Sequence, residues 1–127
     1  MELFTEADKA LLEKYPLYSQ DSKKAEAEVI IKYFLPGTGI TFYVLEASPE
    51  GEDITFFGYI DGVAQGGSEY GYFTLSQLKE IQISVPIEDN TGKEIGLIPC
   101  KIERDLHLAP GTTIGELVPE VKELYED

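Results

Sequence analysis

The residues best suited to chemistry lie in one short run, Ile102-Glu-Arg-Asp-Leu-His-Leu108, where ionisable side chains alternate with apolar ones. Read as a strand, it sets Arg104 on one stripe with Ile102, Leu106 and Leu108, and Glu103, Asp105 and His107 on the other. A guanidinium on a core-facing stripe must find a carboxylate or several carbonyls, because an unpaired buried charge costs several kcal/mol. The partners expected for it are Glu46, Asp61 and Glu69, which come from a stretch between Tyr33 and Leu78 that holds no Lys or Arg. The bland outcome is a structural ion pair pinning that stretch to the sheet. The sharper one is an enzyme or ligand site built on Glu69, Arg104 and Asp105.

Two other arrangements are weaker. Alternate strand residues lie roughly 6.6 to 6.8 Å apart, so two of Glu103, Asp105 and His107 could share a hard cation only if a loop supplied more oxygen. No metal is expected on that ground. Cys100 and His107 are the lone thiol and lone imidazole, but their odd separation puts them on opposite faces of a continuous strand. A packed cysteine is the simpler reading. The glycine-rich run Asp61-Gly-Val-Ala-Gln-Gly-Gly-Ser-Glu-Tyr-Gly71 has the glycine density of a phosphate cradle, yet no Gly-Lys-Ser or Gly-Lys-Thr follows it. It reads as a surface loop, and no cofactor is expected.

The elements that must position these residues centre on two runs, Ile40 to Ala47 and Ile54 to Ile60, joined by Ser-Pro-Glu-Gly-Glu-Asp. Both are apolar on both faces, which predicts a hairpin central in its sheet with cover on either side. Glu28 to Leu35 is a further strand closed by Pro36-Gly37, completing an antiparallel meander. Thr5 with Asp8, Thr74 with Gln77 and Thr113 with Glu116 mark helix starts, giving short helices from Glu6 to Lys14, from Leu75 to about Ile81 and at the C-terminus through Pro119. Tyr15 to Ala27 reads as a polar, solvated connector with room for a helical turn. Ile83 to Ile87 and Ile95 to Ile98 flank a turn of Asn and Gly, a second hairpin. The fold class expected is α+β, a mostly antiparallel sheet with a central hairpin and short helices packed on its faces.

A chain of 127 residues is long enough for one core, so residues 1–127 are read as a single domain. A net charge of −14, from 24 acidic against 10 basic residues, opposes direct contact with nucleic-acid phosphates or anionic lipid and favours a basic protein partner. One cysteine forbids an intrachain disulfide. The acidic N-terminus is unlike a signal peptide and no apolar run approaches membrane-spanning length, so a cytoplasmic location is expected.

Three segments taken together, Thr41-Phe-Tyr-Val-Leu-Glu46, Phe57 to Gly62 with Glu69 to Leu78, and Ile102 to Leu108, resemble the domain-of-unknown-function family numbered 2958. The likeness runs from about Ile30 to Pro110 and is closest at Glu-Arg-Asp-Leu-His with Glu69, Gly71 and Leu75. That family usually carries Trp where Phe42 stands and a much shorter link before the Glu-Arg-Asp run, so Ile83 to Cys100 resembles an added hairpin. The resemblance implies small bacterial proteins on phage, plasmid and conjugative elements, and no activity. The function expected is a protein-binding accessory factor. The alternatives are an enzyme at Glu69, Arg104 and Asp105, or an acidic DNA mimic using Glu50, Glu52, Asp53, Glu88, Asp89, Glu116, Glu120, Glu123, Glu126 and Asp127.

Overall fold

The computed structural model describes residues 2–64 and 67–125. Five strands form one sheet in the order β4-β3-β2-β1-β7: β1 (Ile31–Phe34), β2 (Thr41–Glu50), β3 (Asp53–Ala64), β4 (Gly67–Thr74) and the two-residue β7 (Glu103–Arg104). Every pairing is antiparallel. The expected α+β class is therefore what the chain adopts. The helices are α1 (Lys9–Lys14), entered through a 3-10 turn at Glu6–Asp8, α2 (Leu75–Glu80), α3 (Ile114–Leu117) and α4 (Pro119–Leu124). Thr74 starts α2 by accepting the Gln77 amide at 3.2 Å, while the Gln77 side chain accepts the Thr74 amide at 2.9 Å. Pro119 begins α4, where its missing N–H costs nothing.

The β2–β3 hairpin is covered on both faces, as two apolar runs require. Phe42, Val44, Ala47, Phe56 and Phe73 join Ile31, Tyr33, Leu78 and Ile102 in one core. Tyr43, Leu45 and Tyr59 on the opposite face join Val29, Ile114, Val118 and Val121 in the other. A register shift between Val44 and Glu46 makes Leu45 the extra residue of a β-bulge facing Gly58. A Cβ on Gly58 would lie 1.9 Å from the Tyr43 carbonyl oxygen. Only glycine fits there. The bulge turns Glu46 away from Phe42 and Val44, whose face it would otherwise share, and pairs it with Phe57.

Three local readings are corrected. The run from Asp61 to Gly71 is not an irregular loop, because β3 continues to Ala64 and β4 opens at Gly67; Gln65 and Gly66 lie outside the described residues. Close backbone approach requires glycine at Gly62 (φ +78°), where a Cβ would meet the Gly39 carbonyl oxygen at 2.3 Å, whereas at Gly71, paired with Gly58, it would meet only the Ile60 side chain at 3.7 Å. Residues 105–108 do not continue β7, since a turn at 106–107 follows it, and Leu106 is exposed rather than core-facing. The Tyr15–Ala27 connector is not merely solvated. It holds a 3-10 segment (Asp21–Glu26) and the buried Gln20, whose amide donates to the Leu45 carbonyl at 2.6 Å and the Glu28 carbonyl at 2.9 Å. Gln20 thus satisfies a carbonyl that the bulge takes out of the ladder.

The second hairpin, β5 (Gln82–Glu88) and β6 (Glu94–Lys101), forms its own two-stranded sheet. Its base packs through Val85, against which a Cβ on Gly37 would sit at 3.1 Å, and through Cys100, which touches the first core.

Candidate functional site

Arg104 is paired, but with a different carboxylate from those expected. From β7 it extends beside Tyr33 to Asp8, at the start of the first helix: Nη2 donates to Oδ1 at 2.9 Å and Nη1 to Oδ2. Nη1 also donates to the Leu3 carbonyl at 3.3 Å, which accepts the Tyr33 hydroxyl at 2.7 Å. The Asp8 carboxylate accepts the Thr5 amide at 2.8 Å and the Thr5 hydroxyl at 2.9 Å as well. Burial pushes the Asp8 carboxyl up, but the hydrogen bonds from Arg104 and Thr5 outweigh it and hold the group below the usual carboxylate range. The Arg104 guanidinium is held above its ordinary value, first by the Asp8 hydrogen bond.

The other nominated residues are dispersed. Asp105 takes the His107 amide at 2.8 Å and the Lys32 ammonium at 3.3 Å. Asp61 accepts the Ser68 hydroxyl. Glu69 is exposed on β4, opposite Ile60. Because β4 and β7 are the two edges of the five-stranded sheet, Glu69 and Arg104 are about four strand spacings, ~19 Å, apart. The trio Glu69, Arg104 and Asp105 does not converge. Among the described residues no three His, Cys, Asp or Glu side chains gather as a metal set. The Cys100 thiol donates to the Ile98 carbonyl at 3.8 Å, while His107 lies in the turn after β7.

Arg104 and Asp105 border one open hollow, and Glu46 lies in another. Glu46 is 2% exposed, and its two oxygens accept the Tyr18 and Gln20 amides, both at 2.8 Å. The Glu46 hollow, about 290 Å³, is walled by Phe57, Tyr70 and Tyr125, with Asp21 and Lys24 at its rim. The Phe57 and Tyr70 rings stack at 5.8 Å, and Tyr72 packs on Phe57 at 4.9 Å. The Tyr70 hydroxyl is buried with no hydrogen-bond partner among the described residues. Burial pushes its pKa up, and the neighbouring Tyr125 hydroxyl adds to the rise. These rings escape a linear reading because they come from three places in the chain, β3, β4 and the end of α4.

The acidic side chains proposed for DNA mimicry sit on separate elements, and several are used locally. Asp53 accepts the Ser76 hydroxyl at 2.5 Å and the Ile54 amide at 2.8 Å, Asp89 accepts Thr91 and Lys93 amides, and Glu116 accepts the Thr113 hydroxyl at 3.0 Å. Glu126 and Asp127 lie outside the described residues.

What stands out on the surface is the β5–β6 arm. Ile95 is 62% exposed, Leu97 60% and Ile98 48%. Pro86 and Pro99 interrupt its two strands, positions that proline tolerates only at sheet edges and that discourage strand addition. A partner is left the faces of the ribbon.

The model of the family described as "Protein of unknown function (DUF2958)" matches residues 3–123. The chain belongs to that family, and the match takes in both terminal helical regions beyond the Ile30–Pro110 likeness. No curated protein and no solved structure matches the chain. No helix among the described residues is long and apolar enough to cross a membrane.

Proposed function

We propose that this chain is a small cytoplasmic, protein-binding accessory factor of mobile-element origin, and that the β5–β6 arm is its docking element. The observation that carries the reading is the set of large apolar side chains, Ile95, Leu97 and Ile98, held out on a two-stranded ribbon away from either core. Leu97 and Ile98, successive residues of a paired strand, present apolar surface on both faces of the ribbon, more than scattered single residues would. The arm itself is close to neutral, with Glu88, Asp89 and Glu94 nearly balanced by Lys93 and Lys101 in a chain of net charge −14. The acidic body steers a basic protein toward the chain, and the arm supplies the desolvated contact. The mobile-element origin rests on the family resemblance.

The test is affinity capture from host lysate with the parent chain and an Ile95→Ser/Leu97→Ser variant, at low and high salt. Exposed positions tolerate such changes within about 0.5 kcal/mol of stability. A defined protein retained by the parent at both salt levels and lost by the variant supports the arm. Equal capture by both chains, or capture that vanishes at high salt and is competed by duplex DNA, overturns it.

A further inference from the structure

We propose that the hollow over Glu46 is a docking point for an arginine side chain of a partner protein, a site separate from the apolar arm. Its walls are aromatic, and ring faces attract cations. Its floor is the Glu46 carboxylate, with Asp21 at the rim. Each Glu46 oxygen accepts a single amide from Tyr18 or Gln20, leaving acceptor capacity on a charged group. At about 290 Å³ the hollow falls at the bottom of the range for small-molecule pockets, a size suited to one side chain rather than a cofactor.

The chain already places a cation there. The Lys24 ammonium lies 5.8 Å from the centroid of the Tyr125 ring, within the reach of a cation–π contact. Its backbone takes φ 54° and ψ −124°, a conformation that L side chains adopt only under constraint. Tyr18, the other non-glycine residue with positive φ among those described, at 75°, does not line the hollow and meets it only through its amide on Glu46. Lys24 approaches the Tyr125 ring as a point charge. A guanidinium can stack on the rings and donate in its own plane to the Glu46 carboxylate, which an ammonium cannot do together. From the rim, Lys24 competes with an incoming arginine for the Tyr125 ring.

The test uses ring resonances of ¹³C-labelled Tyr and Phe, titrated with the peptide Ac-Gly-Arg-Gly-NH2 and with its neutral citrulline counterpart. The arginine peptide is expected to shift Tyr70, Tyr125 and Phe57, with the citrulline peptide weaker by roughly tenfold, within the range a cation–π contact commands. Tyr125→Ala should weaken binding severalfold. Lys24→Gln should tighten it, whereas Lys23→Gln, the same charge change one residue away, should not. The Ile95→Ser/Leu97→Ser variant should bind the peptide as the parent does. Equal binding of the citrulline peptide, indifference to Tyr125→Ala, or equal tightening by Lys23→Gln and Lys24→Gln would each overturn the proposal, reducing the effect to diffuse attraction by an acidic surface.

Discussion

Asp8 binds the first turn of the N-terminal helix and the far edge of the sheet at once, through Thr5 on one side and Arg104 on the other. The need for a partner was legible: Arg104 stands on a stripe with Ile102, and such a charge cannot be left alone. Which partner was not, because Asp8 reads locally as a capping residue and its second role depends on where the helix docks. The pair is largely buried, with side chains 18% and 11% exposed. Arg104→Ala should then cost about 3 kcal/mol, the lower end for breaking a buried pair, measured by urea unfolding; a near-silent variant would contradict this account. The same pair has a pH signature. Its folded carboxyl sits below the ordinary value of 3.8, so the stability it contributes is full above that value and is lost as pH falls through the folded pKa. Asp8→Asn should flatten this acid limb of the stability curve relative to the parent. An unchanged slope below pH ~4 would show that the pair is not coupled to folding.

At the scale of elements, the strands were legible from their apolar alternation and the helices from their caps, but the β-bulge was not. Simple alternation places Glu46 with Phe42 and Val44, inside a core. The extra residue Leu45 moves it to the opposite face, where the Tyr18 and Gln20 amides meet it. The only local hint was Gly58 in a run of β-branched and aromatic residues. Glycine density misled in the same way at Asp61 to Gly71, where it permits strands to approach rather than a loop to wander. Gly58→Ala should be among the most damaging single substitutions, roughly 3 kcal/mol or more, since a Cβ 1.9 Å from a backbone oxygen cannot be relieved by a rotamer change. Thermal unfolding of that variant beside Gly96→Ala, where a Cβ meets nothing within 4 Å, checks it. Equal behaviour of the two would remove the steric basis of the bulge.

Across the whole molecule, two cores share one sheet and the arm stands outside both. Composition showed an acidic chain of net charge −14, and the second hairpin was legible from its turn. That the ribbon holds its apolar residues in solvent was not, because a run such as Ile95-Gly-Leu-Ile98 reads as core until its neighbours are known. The acidic residues are dispersed over separate elements and partly spent on local hydrogen bonds. The most direct measurement of the central claim is amide hydrogen exchange of the chain alone and in complex with the protein it captures. Slowed exchange concentrated in Gln82–Glu88 and Glu94–Lys101 is the result predicted for docking through the arm. An arm that exchanges equally in both states, with slowing confined to the acidic residues of α3 and α4, would contradict it and favour the mimic.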